Sequence, residues 1–145
     1  MASIPVLILN DVKALIAATA PRLTIKIRKS LELLEGDAGW LPVCLLIPNA
    51  QVNEDEGFEG ALIREYIIQI AIIWAGNMQI DSDLEDMTAA LSNIPKALNV
   101  TSLTTATTVF DSTVNFSPTY DAAAIPRMYD HSVIDVTYLS SELRN

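Results

Sequence analysis

The stretch Ala61-Leu62-Ile63-Arg64-Glu65-Tyr66-Ile67-Ile68-Gln69-Ile70-Ala71-Ile72-Ile73-Trp74-Ala75 carries its charges, Arg64 and Glu65, in its first third and ends almost wholly apolar. Its run of isoleucines favours a pleated, packed backbone over a helix. It is also too short for a membrane-spanning helix, which needs about 20 apolar residues. The stretch therefore predicts one long strand over Ala61 to Ala75, broken by Gly76-Asn77. Working outward from this strand gives the rest of the fold. Upstream, Leu41 to Ile47 is apolar on both faces and predicts a central strand ended by Pro48-Asn49. Arg22 to Ser30 alternates, with Leu23, Ile25 and Ile27 on one face and Thr24, Lys26 and Arg28 on the other. That is a half-buried strand.

Two helices frame these strands. Val6, Leu9, Val12, Leu15, Ile16 and Ala20 recur at helical spacing over Ile4 to Thr19. Ser3 stands where a cap belongs, Pro5 is tolerated in the first turn, and Pro21 closes the helix. The polar pair Asn10-Asp11 is its weak point and an alternative place for the helix to begin. A second helix is expected over Asp83 to Leu98, with a stripe of Leu84, Met87, Ala90 or Leu91, Ile94 and Leu98, and with Pro95 disturbing its last turn. Leu103 to Phe116 and Met128 to Ser140 then read as two further strands. The order is helix, three strands, helix, two strands. Strands in runs, not alternating with helices, predict an α+β fold: a mainly antiparallel sheet flanked by an N-terminal helix and a second helix. Residues 1–145 are expected to form one domain, as 145 residues bury enough surface without disulfide or metal.

Composition excludes more than it names. Nine basic residues against eighteen acidic ones give a net charge of −9, which argues against a grip on nucleic-acid phosphates. The lone Cys44 excludes an intramolecular disulfide and a cysteine-rich zinc site. The chain is 50% hydrophobic and only 19% charged, with mean hydropathy +0.31. That calls for either an unusually dry core or apolar surface hidden against copies of itself; we favour the second. No basic leader precedes the first apolar run, so the chain is expected to be made and kept in a cytoplasm. The sequons at Asn99 and Asn115 are then chance matches.

The chemistry-bearing residues form few patterns. His131, the single histidine, sits beside Asp130 without a nucleophile in a recognisable context, so a structural hydrogen bond explains it better than catalysis. Asp81, Asp83 and Glu85 imitate the start of a calcium loop, but Asp86 and Ser92 occupy the places where such a loop needs Gly and Glu. Helix capping accounts for them. Gln51 to Gly60 is expected to be an exposed, mobile polar loop holding Glu54, Asp55, Glu56 and Glu59. A divalent ion is a weaker reading of those acids than plain solvation. Tyr120, Tyr129 and Tyr138 accompany Asp121, Asp130 and Asp135, and core packing and an interface account for the tyrosines equally well. Arg64, Arg127, Tyr129 and Asp130 are the candidate oligomer-interface residues. No catalytic residue, metal site or cofactor is expected.

Taken together, Leu41 to Asn49 ending in Pro-Asn, the charged segment leading into Arg64-Glu65-Tyr66-Ile67-Ile68-Gln69-Ile70, and the closing Tyr129, Ser132, Val136 and Tyr138 resemble a known pattern. They resemble the small tail-terminator and head–tail neck proteins of tailed bacteriophages. The resemblance implies an α+β subunit of a virion ring, often a hexamer, assembled in the host cytoplasm. It implies that the ring caps the tail tube, meets a head-completion or stopper protein, and lets DNA pass without specific binding and without a membrane. The acidic segment from Glu54 to Glu59 is then a candidate for the lumen or an axial face, or lies outside in solvent. The acidic balance suits a channel in which DNA must not stick. Two alternatives stand beside this one: another tail or head completion protein such as a stopper, and a small cytoplasmic binding module or enzyme.

Overall fold

The computed structural model describes residues 3–28, 42–48, 53–56, 61–75, 81–99, 103–116 and 129–143. The elements are α1 (Ile4–Thr19), β1 (Thr24–Ile27), β2 (Val43–Pro48), β3 (Asn53–Glu56), β4 (Ala61–Ala75), α2 (Asp81–Ala97), β5 (Val109–Phe116) and β6 (Tyr129–Leu143). The strands join one sheet in the order β1-β2-β4-β6-β5, with β3 paired to β4 on the same side as β2. Every pairing is antiparallel except β1 with β2. The fold is therefore α+β with a mainly antiparallel sheet, as expected.

The long strand is the spine. All fifteen residues of β4 pair with β6, from Ala61 opposite Leu143 to Ala75 opposite Tyr129. Side chains alternate across a strand. Tyr66, Ile68, Ile70 and Ile72 therefore share a face with Ile134, Val136 and Tyr138 of β6 and with Cys44 and Leu46 of β2. Both helices pack on this face: Ile8, Val12 and Ile16 from α1 and Ala90, Ile94 and Leu98 from α2 join those strand residues in the main core. On the opposite face Val43, Leu45, Ile47, Ala71, Ile73 and Val133 form a second, smaller buried cluster. This two-faced burial explains why β2 reads as apolar throughout.

The structure corrects the sequence reading in several places. Four strands, not three, separate the helices. Asn53 to Glu56, expected within a polar loop, pairs residue by residue with Leu62 to Glu65. The fifth strand begins at Val109, not at Leu103, and enters through an irregularity between Val109 and Asp111. The first strand is only four residues long, and Ile27 at its end is 46% exposed because β1 lies at the sheet edge. Val6, expected in the buried stripe of α1, is exposed; Val12, Ile16 and Ala20 of that stripe are buried, and Ile8 and Asp11 join them. Ser3 is the N-cap residue of α1, but its side chain makes no capping bond. Pro95 lies inside α2.

Candidate functional site

Two polar assemblies stand out. The first joins the helices to the start of β5. Asp11 lies one turn from Leu7 and Ile8 on the inner face of α1 and is 5% exposed. A buried carboxylate must find donors or neutralise. Asp11 finds them in 104–106: its Oδ1 accepts the Thr105 hydroxyl at 2.8 Å and the Thr104 hydroxyl at 3.2 Å, and its Oδ2 accepts the Thr105 and Ala106 amides, both at 3.0 Å. Burial alone would push the Asp11 carboxyl up. The amide of Ala106 and the hydroxyls and amide of Thr104 and Thr105 outweigh it, holding the group below its ordinary value of 3.8.

Tyr138, fully buried on β6, extends this assembly by donating its hydroxyl to the Leu98 carbonyl at 2.9 Å. Burial raises the Tyr138 phenol well above its ordinary value, and the negative charge of Asp11 adds to the rise. Beside it the hydroxyls of Thr108 and Ser140 lie 2.7 Å apart. Asp11 thus ties α1 to the segment before β5, and Tyr138 ties the sheet to the end of α2. With both carboxylate oxygens engaged by fixed donors, Asp11 is a structural clasp and not a poised base.

The second assembly lies toward one end of the sheet. Tyr66 donates to the Glu142 carboxylate at 2.9 Å, and Arg64 approaches the same carboxylate at 4.0 Å. Burial pushes the Tyr66 phenol up; the Glu142 carboxylate adds to the rise and Arg64 works against it. Beyond Tyr66 the strands continue as a ribbon of β3, Ala61 to Glu65 and Leu139 to Leu143, in which Ser140 is fully buried and lies opposite Val109 of the main core. Its five paired positions span about 17 Å of strand.

The residues singled out in the sequence divide along the spine. Glu54, Asp55 and Glu56 are strand residues opposite Arg64, Ile63 and Leu62, which corrects their expected place in a mobile loop; Glu59 lies outside the described residues. Arg64 is on the ribbon, whereas Tyr129 and Asp130 lie opposite Ala75 and Trp74 at the other end of β4. Ten residues of strand put these ends about 34 Å apart, so the structure does not gather Arg64, Tyr129 and Asp130 into one patch. Arg127 lies outside the described residues. His131 is a strand residue opposite Ile73. Of the three tyrosines, Tyr138 is core, Tyr129 begins β6, and Tyr120 lies outside the described residues.

The sequence reading missed Asp11 and Glu142. For Asp11 a signal existed: an acid inside an otherwise apolar helical stretch, with a Thr-rich segment available downstream. Burial pushes the Cys44 thiol up to about 12, which keeps it protonated and inert. Among the described residues no three His, Cys, Asp or Glu side chains are grouped to hold a metal ion, and no helix is long and apolar enough to cross a membrane. No family model matches the chain, and no curated protein matches it significantly.

Proposed function

We propose that the chain is a structural subunit of a tailed-bacteriophage virion, assembling into a ring at the head–tail junction. A hexamer is the form that the resemblance implies. The ring caps the tail tube, joins it to head-completion proteins and lets DNA through its centre. The observation that carries this reading is the ribbon built from β3, the start of β4 and the end of β6. It sets β3 beside β4 and β6 at one end of the sheet and places Glu54, Asp55 and Glu56 together on one strand. A subunit of a ring gains a surface to lay against its neighbour or to line a channel. Acidic side chains there keep DNA from adhering, because retention on a surface depends on cations that neutralise phosphates.

Immunogold labelling of phage particles from the strain that encodes the chain tests this reading. Label concentrated at the junction of head and tail supports it. Label confined to soluble cell material, with none on particles, overturns it in favour of a cytoplasmic binding module.

A further inference from the structure

Among the described residues the sheet ends at two edges, and they complement each other. At one edge stands β1, at the other β5, and among the described residues neither carries a further strand. Open edges present unpaired backbone donors and acceptors, a template for another strand. Of the three large hydrophobic side chains exposed among the described residues, one lies on each edge: Ile27, 46% exposed, and Phe110, 52% exposed. The third, Val6, is on α1. Charge is distributed in the same sense. Three of the nine basic residues, Arg22, Lys26 and Arg28, fall within seven positions at β1, in a chain of net charge −9. The β5 edge carries Asp111, which is exposed.

Direction and register also agree. From the pairings, β1 and β2 run one way, β4 the other, β6 back again, and β5 opposite to β1. Copies related by rotation about an axis along the strands keep these directions. The β5 strand of one copy then meets β1 of the next in antiparallel fashion, the more stable pairing per residue. Lys26 lies opposite Leu45 and Asp111 opposite Leu139, so both belong to the sheet face away from the helices. A register that sets Lys26 opposite Asp111 also sets Ile27 opposite Phe110 and Thr24 opposite Thr113. One alignment therefore supplies an opposite-charge pair, an apolar pair and a Thr–Thr pair, each a favourable cross-strand combination.

We infer that β5 of one copy pairs antiparallel with β1 of the next, Phe110 against Ile27 and Asp111 against Lys26, so that successive sheets join head to tail. Because the two patches differ, the contact is heterologous and generates a ring when the rotation closes. The inference rests on the proposed ring and names its contact.

Cysteine pairing tests it. Within one chain, four interstrand steps of about 4.8 Å separate Ile27 from Phe110 by about 19 Å, far beyond the roughly 7 Å limit for a disulfide. The double variant Ile27→Cys/Phe110→Cys can therefore cross-link only between copies, and Cys44 is too buried to compete. Under mild oxidant it should give a ladder of covalent multimers, while either single variant stays monomeric on a denaturing gel. Should the cysteine variant fail to fold, Lys26→Glu and Asp111→Lys serve instead: each alone should abolish assembly and the two together should restore it. Rings from the unmodified chain with no ladder, or with no effect of the charge changes, overturn this contact and leave the ring reading standing. An unmodified chain that stays monomeric overturns both. A monomer that instead binds DNA through the β1 edge at low salt assigns that edge to nucleic acid and overturns the pairing.

Discussion

Replacing Asp11 by Ala should destabilise the chain more than any other single polar change described above. The substitution removes the acceptor for the Thr105 amide at 3.0 Å, the Ala106 amide at 3.0 Å and the Thr105 hydroxyl at 2.8 Å. The hydroxyl can turn to water, since Thr105 is exposed. The Ala106 amide belongs to a residue that is 1% exposed and loses its partner outright. An unsatisfied buried donor costs about 1–3 kcal/mol, and hydrogen bonds to a charged group contribute about 1.5–3 kcal/mol each. Allowing for non-additivity, the loss is about 3–4 kcal/mol, or about 6–16 °C in Tm for a domain of this size. Asp11→Asn keeps one oxygen and should lose about half as much.

The pH dependence gives an independent check. Asp11 titrates below 3.8 in the folded chain, so the unfolded chain binds its proton first as acid is added. The stabilisation is fully present above the ordinary carboxylate range and is lost as pH falls through 3.8 toward the folded value. Urea unfolding followed by circular dichroism from pH 7 down to pH 3 should show this acid-sensitive component in the wild type and its loss in Asp11→Asn. A cost below about 1 kcal/mol for Asp11→Ala, or identical acid sensitivity in Asp11→Asn, would refute the clasp.

Three further outcomes follow from the same structure. Tyr138→Phe keeps the ring's packing but strands the Leu98 carbonyl, so urea unfolding should register a loss of about 1–2 kcal/mol. Cys44, with its thiol pushed up to about 12, should ignore an aromatic disulfide reagent at pH 8 in the native chain and react once the chain is unfolded. Changing Glu54, Asp55, Glu56 and Glu59 together to Lys should make assembled rings retain DNA, with retention falling steeply as salt rises; salt-independent passage like that of the wild type would remove the ribbon from the channel.

The parts of the fold legible in the sequence are those where periodicity and burial coincide. The bounds of α1 and of β4 agree with the apolar pattern because Pro21 and Gly76 punctuate them sharply. β3 was illegible because Asn53 to Glu56 has no apolar alternation, and its strand character comes from pairing with β4. Counting hydrophobics along α1 placed Val12, Ile16 and Ala20 rightly inside but also put Val6 there and missed Asp11, which occupies a core position because the donors of 104–106 satisfy it. Those same donors explain why 103–108 does not extend β5: its Thr residues serve the clasp instead of a ladder. The candidate interface residues fall on two paired strands, Arg64 on β4 and Tyr129 and Asp130 on β6, towards opposite ends of a pairing that periodicity along one strand does not give.

The central claim is that this chain closes into a ring with an acidic channel, and native mass spectrometry of the purified chain at micromolar concentration, read together with negative-stain class averages, tests it most directly. The account predicts one dominant closed species, a multiple of the 15.8 kDa subunit, with a central opening wide enough for duplex DNA. A monomer that persists across concentrations, or an open polymer without closed particles, would contradict it.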